Sequence, residues 1–193
     1  MLHTPKALIL IGLRASGKST LARALAAAQQ LPCADLDHLT AAELGHDSVR
    51  AAWAAVGEPA FRIAETRALA RALETPGDLV LALGGGTPTA PGAAELLRAA
   101  RDAGHAVIVY LRCTPDELRR RLAAAGPAAL ADRPSLTGAA PLDEIESVFR
   151  ARDSLYSSLA SRTLEGIDSQ QRGLIELSPW KEWTSPGPHA ASE

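Results

Sequence analysis

Residues 12–19 read Gly-Leu-Arg-Ala-Ser-Gly-Lys-Ser, which is the pattern G-x-x-x-x-G-K-[ST]. That spacing builds an anion site. Gly12 and Gly17 let the backbone turn its N–H groups inward around a phosphate. Arg14, Ala15 and Ser16 fill the loop between them, and Thr20 follows at the start of a helical pattern whose positive end reinforces the site. Lys18 can reach the outer phosphates of a nucleoside triphosphate, and the hydroxyl of Ser19 can ligate Mg²⁺. An ordinary glycine turn is the competing reading. The apolar run 7–11 before the loop and the helical run after it weigh against that.

Other residues could complete such a site. Asp35 and Asp37 lie two apart, and in an extended chain they would point to the same side. One carboxylate could then support a metal, while the other draws the proton from a substrate hydroxyl. Alternatively, Asp37 simply caps the helix that follows it. Phe61-Arg62 is followed by Glu65, three residues after Arg62 and so on the same helical face, where it could aim the guanidinium at a substrate carboxylate. The same spacing also describes a plain surface ion pair. Trp53 and Phe61 are pocket walls or core. Gly84-Gly85-Gly86 ends an apolar run and leaves room for a ligand to approach the backbone. Arg133 lies in a Pro/Gly-rich stretch over 124–140, which reads as a mobile lid or as a surface loop. In the lid reading, Arg133 closes over a phosphate. Of Arg119, Arg120 and Arg121, one could meet a nucleotide base while the others form a solvated face. Arg152 shares a face with Tyr156, and Arg150 points elsewhere. The five histidines have no metal-binding spacing.

Positioning these groups requires a particular scaffold. Apolar runs at 7–11, 79–83 and 106–111, with weaker ones at 32–35 and 163–167, alternate with helical patterns at 18–29, 40–56, 58–75, 92–103, 115–125, 141–160 and 169–177. Runs that are apolar throughout read as strands covered on both faces, and the alternation with helices predicts a parallel α/β sheet. Residues 1–178 are expected to form one domain, and 179–193 a flexible tail of which Trp180 and Trp183 dock a part. The chain has 193 residues and a formal net charge of −2. This balance gives no electrostatic case for nucleic acid or an anionic membrane. Cys33 and Cys113 are expected to be buried thiols. With no signal-peptide pattern and no long apolar run, a monomeric cytoplasmic protein is the expectation.

Taken in order, these blocks resemble the shikimate kinase family: GLRASGKST, Asp35-x-Asp37, the F-R-x-x-E of Phe61 to Glu65, the triple glycine, Arg133-Pro134, and the R-x-x-x-Y of Arg152 and Tyr156. The likeness runs from about residue 7 to about 177. It implies a three-layer αβα P-loop kinase fold with a five-stranded parallel sheet and a mobile lid. It further implies MgATP-dependent phosphorylation of the 3-hydroxyl of shikimate, on the way to chorismate and the aromatic amino acids. By the same likeness, Lys18 and Arg133 serve the transferring phosphate, Ser19 and Asp35 the Mg²⁺, and Arg121 the adenine side of ATP. Asp37 becomes the candidate base. Arg62, Arg152 and the glycines 84–86 hold the shikimate carboxylate, and Trp53 and Phe61 wall its ring. The chain departs from the family's usual pattern at Ser135 in the lid and at Thr87-Pro88-Thr89 after the glycines. Two other functions compete: a kinase for another small hydroxy acid such as gluconate, and an ATP-binding module without turnover.

Overall fold

The computed structural model describes residues 4–125, 142–166 and 170–183. The strands are β1 (Ala7–Ile11), β2 (Cys33–Asp35), β3 (Leu79–Ala82), β4 (Ala106–Arg112) and β5 (Arg162–Glu165). The helices are α1 (Lys18–Gln29), α2 (Leu36–Glu43), α3 (Val49–Glu74), α4 (Ala93–Asp102), α5 (Pro115–Ala124), α6 (Ile145–Leu159) and α7 (Gln170–Leu177). The sheet order is β2-β3-β1-β4-β5, and every pairing is parallel. β1 therefore lies between β3 and β4, so the loops leaving all three strands emerge at one edge.

Two buried layers explain the unbroken apolar runs. Ile9, Ile11, Ile108 and Tyr110 face one core with Leu69 of α3, Leu97 of α4 and Tyr156 of α6. Leu8, Leu10, Val107 and Val109 face the other core with Leu21 and Leu25 of α1 and Leu177 of α7. Adjacent residues of β1 and of the interior of β4 thus point into opposite cores, and none of them faces water. A third, smaller cluster of Ala41, Ala52 and Phe61 joins α2 to α3.

The helix starts follow local chemistry. Asp35 caps α2 by accepting from the N–H of Asp37, Ser48 caps α3, and Thr114 caps α5 ahead of Pro115. The cap of α2 is thus Asp35, not Asp37. The expected helix at 40–56 is divided: α2 ends at Glu43, and Gly45 turns the chain with φ 75°. The expected helices 40–56 and 58–75 instead meet within α3, at a kink where Gly57 has φ 74° and ψ 169° and Pro59 follows.

On the far side of the sheet, Arg112 at the end of β4 grips Asp153 of α6 through two nitrogens, at 2.8 and 2.9 Å. The hydroxyl of Tyr110 donates to the same carboxylate at 2.9 Å. The guanidinium holds the Asp153 carboxyl below the usual carboxylate range. This joint fixes α6, and with it Arg152 and Tyr156, against the sheet.

One expectation needs correction. Cys33 is exposed on the edge strand β2, because no strand covers its outer side; Cys113 is buried. The start of the tail docks through its tryptophans: Trp180–Glu182 form a 3₁₀ turn, and Trp180 is fully buried beside Leu177. Its indole N–H donates to Gln29, and Lys181 pairs with Asp78. Such burial offsets the entropy of fixing a chain end. No helix among the described residues is long and apolar enough to cross a membrane. Trp180→Ala is expected to lower unfolding free energy by about 3 kcal/mol in urea denaturation. A loss below about 0.5 kcal/mol, the usual range for a surface change, would show that this segment contributes nothing to the core.

Candidate active site

The phosphate loop joins β1 to α1 as the sequence predicts. Gly12 has φ 150° and Gly17 φ 96°. A Cβ on Gly12 would lie 2.7 Å from the carbonyl oxygen of Leu111 and 2.8 Å from Oγ of Ser16, so only glycine fits there. Ala15 also takes a positive φ, of 64°. Lys18 is buried, and its ammonium donates to the carbonyls of Gly12 and Leu13 at 2.9 Å each. Arg121 reaches across from α5 and donates to the carbonyl of Ser16 at 3.1 Å, which places it on the phosphate-loop side of the molecule. Arg119 pairs with Asp116 on α5 and with Glu146 on α6, and Arg120 pairs with Glu117. Thr20 is exposed on α1.

Two observations fit this loop to a bound anion and cation. Oγ of Ser16 is the one buried side-chain polar atom without a hydrogen-bond partner among the described residues. A buried hydroxyl of that kind is ready to meet an anion. Ser19 Oγ donates to Asp35 Oδ2 at 2.5 Å, so a hydroxyl and a carboxylate converge beside the loop. Mg²⁺ characteristically takes one or two such protein ligands together with phosphate oxygens and water. No cluster of three or more His, Cys, Asp or Glu with metal-binding geometry occurs among the described residues.

Asp37 is mostly buried and lines a cleft with Arg14, Trp53, Arg62, Gly85 and Arg152. The two carboxylates meet the site differently from the simple alternation expected. β2 ends at Asp35, and Asp37 lies in the first turn of α2. Helical winding, not strand pleating, turns Asp37 into the cleft.

Arg62 on α3 donates to Glu65 at 2.6 Å and is also in contact with Glu58 at 3.4 Å. Its guanidinium lies 5.1 Å from the centroid of the Trp53 ring, and that ring packs against Phe61 at 5.2 Å. Phe61 is buried and Trp53 half-buried. Glu65 is 1% exposed, so Arg62–Glu65 is no surface pair. Burial raises the Glu65 pKa above the ordinary range; Arg62 and a hydrogen bond from Thr87 act in the opposite direction. Arg152 donates to the carbonyl of Gly85 at 2.8 Å, and the hydroxyl of Tyr156 donates to the same oxygen at 2.6 Å. Burial pushes the Tyr156 phenol up to about 12, so it keeps its proton at neutral pH. Arg150 instead pairs with Glu146 on the exposed side of α6.

The triple glycine is where these parts touch. The Gly84 carbonyl accepts from the N–H of Thr87, that of Gly86 from Thr89, and that of Gly85 from Arg152 and Tyr156. Each glycine is hemmed in. A Cβ on Gly84 would fall under 3.0 Å from Asp37, Glu65 and Thr87; on Gly86 it would fall under 3.0 Å from Arg62; on Gly85 it would sit 3.0 Å from the Arg14 nitrogen. Arg133 and the expected lid beyond residue 125 lie outside the described residues. Sequence reasoning passed over Leu118, Leu122, Glu144 and Ile145, which also line the cleft. Their apolar helical spacing reads equally well as core. It also assigned no role to Tyr156 or Thr87.

Comparisons with known proteins cover the same ground. A family model described as shikimate kinase matches residues 14–177. A shikimate kinase of Rhodopirellula baltica is 38% identical over 177 residues, which is 90% of this chain and 87% of that one. Shikimate kinase 2 of Dickeya chrysanthemi is 36% identical over 170 residues, 88% and 92% of the two chains. Among solved structures, shikimate kinase from Acinetobacter baumannii in complex with shikimate aligns with a TM-score of 0.78 at 25% identity, over 92% of this chain and 93% of that one. A gluconokinase from Sinorhizobium meliloti shares the fold with a TM-score of 0.60 at 16% identity. With a family model matching from Arg14 of the phosphate loop through the carboxylates, the glycines and both arginines, this chain belongs to the shikimate kinase family of ATP-dependent phosphotransferases.

Proposed function

We propose that the chain transfers the γ-phosphate of ATP to the 3-hydroxyl of shikimate. The observation that carries this reading is the single cleft lined by Arg14 of the phosphate loop, Asp37, Arg62 and Arg152. A phosphate cradle, a hydroxyl acceptor and two carboxylate-binding cations are what a small polyhydroxy acid needs in order to accept a phosphoryl group. Gluconate also carries a carboxylate for Arg62 and Arg152, but the family model and the 38% identical relative are shikimate kinases, whereas the gluconokinase shares only the fold. The binding-module alternative leaves Asp37 without a task.

Each residue has a role in this reaction. Gly12 to Ser19 wrap the β- and γ-phosphates, with Lys18 turning from its two carbonyls to the outer oxygens. Arg121 closes the loop from the nucleotide side. Ser19 and Asp35 would hold Mg²⁺, which would supply charge neutralisation to the transferring phosphate. Arg62 and Arg152 grip the shikimate carboxylate, aided by the N–H groups of Gly85 and Gly86, while Trp53 and Phe61 bound the ring. That grip presents the 3-hydroxyl to Asp37, which takes its proton as the oxygen attacks the γ-phosphorus. The bond to the bridging oxygen breaks and ADP leaves; by the family likeness, Arg133 would meet the shifting charge. Positioning and electrostatic stabilisation do most of the work, as is usual for phosphoryl transfer.

Two substitutions test the roles. Asp37→Asn is expected to lower shikimate-dependent ADP release by roughly 10²–10⁴-fold, the range for loss of a general base, while MgATP binding measured by calorimetry persists. Unchanged turnover would remove Asp37 from the chemistry. Arg62→Ala is expected to raise the KM for shikimate by about two orders of magnitude, since one partner of a charged pair is lost, with far less effect on the KM for ATP. Equal losses for both substrates would make Arg62 structural.

A further inference from the structure

Thr87 stands just past the glycine loop. It is completely buried and opens a 3₁₀ turn over Thr87–Thr89. Its backbone N–H donates to the carbonyl of Gly84, and its hydroxyl donates to Glu65 Oε1 at 2.8 Å. The other oxygen of that carboxylate, Oε2, accepts from Arg62 at 2.6 Å. Glu65 is thus held at both oxygens, by one cation and one hydroxyl, in a place almost closed to water.

We infer that Thr87 is a positioning residue for the substrate-binding arginine, acting through Glu65. This rests on the proposed binding of shikimate by Arg62. A carboxylate with one partner can swing about its Cγ–Cδ bond. With two partners on opposite oxygens its plane is fixed, and so is the direction it offers to Arg62. The remaining geometry leaves few alternatives for Glu65. Asp37 Oδ1, Glu65 Oε1 and Thr87 Oγ all crowd the point where a Cβ of Gly84 would sit. Asp37 carries the same sign of charge and repels Glu65 across that point, so a donor between them favours the ionised form of Glu65. The groups acting on Glu65 are Arg62 on its own helix, Asp37 from α2 and Thr87 from the glycine loop, and the Tyr156 phenol of α6 also feels its charge. Burial and Asp37 raise its pKa; Arg62 and Thr87 lower it. Removing the hydroxyl therefore leaves Glu65 protonated up to a higher pH, and a neutral Glu65 holds Arg62 less firmly.

The test compares Thr87→Val, which keeps the shape and loses the hydroxyl, with Thr87→Ser, which keeps the hydroxyl. Thr87→Val is expected to raise the KM for shikimate roughly tenfold, the scale of losing a hydrogen bond to a charged group, and to leave the KM for ATP near the parent value. Thr87→Ser is expected to restore the KM for shikimate. The acid limb of kcat/KM for shikimate should move to higher pH in Thr87→Val alone. A second readout needs no turnover. Arg62 lies over Trp53, so the Trp53 indole N–H resonance reports the titration of Glu65, and its midpoint should rise in Thr87→Val and return in Thr87→Ser. An unmoved midpoint, or equal losses in the valine and serine variants, overturns the inference. Failure of the parent protein to use shikimate overturns the proposed function instead, and the resonance still decides the role of Thr87.

Discussion

The molecule depends on one close approach of backbone to backbone, at the triple glycine. Because β1 pairs with β3 in parallel, the loops after both strands leave the sheet side by side. Gly85 comes so near the phosphate loop that a Cβ would sit 3.0 Å from the nitrogen of Arg14. Its neighbours meet Asp37 and Glu65 on one side and Arg62 on the other. A larger residue would drive the two halves of the cleft apart. In-line phosphoryl transfer tolerates little separation, since reacting atoms must start about 3–3.5 Å apart. The glycines are therefore the joint between the nucleotide half and the acid-binding half.

The three carboxylates around that joint are distinguished by their surroundings. Asp35 accepts from Ser19 beside the phosphate loop, the pair proposed to hold Mg²⁺. Glu65 is buried with Arg62 and Thr87 and serves to aim a guanidinium. Asp37 lines the open cleft, where a substrate hydroxyl can reach it. Similar side chains thus take different tasks because burial and partners differ. Arg152 is placed by other means. Arg112 and Tyr110 clamp Asp153, the next residue on α6, and Tyr156 shares with Arg152 the carbonyl of Gly85.

Much of this was legible without coordinates. The phosphate loop is local, so its spacing alone defines it, and β1 and β4 announce burial on both faces by having no polar residue in their interiors. The pairing of Arg62 with Glu65 follows from helical spacing. What failed to show depends on distant contacts. The exposure of Cys33 follows from β2 being an edge strand, a matter of strand order that its own sequence does not carry. The chain around Asp37 winds into a helix four residues earlier than the hydrophobic pattern indicates, because Asp35 caps it. The docking of Trp180 is expected from the sequence, but its hydrogen-bond partner Gln29, 151 positions away, is not. The partnership of Thr87 with Glu65 spans 22 residues and two elements, so its hydroxyl reads in sequence only as a departure from a small apolar residue.

The most direct measurement is ADP release from the purified protein with MgATP in the presence of shikimate, quinate or gluconate, with the product's phosphorylated position read by ³¹P and ¹H NMR. Strong stimulation by shikimate alone, with the phosphate on the 3-hydroxyl, is the expected result. Stimulation by gluconate instead, or phosphate on a different hydroxyl, would contradict the arrangement of Asp37, Arg62 and Arg152 around a shikimate ring.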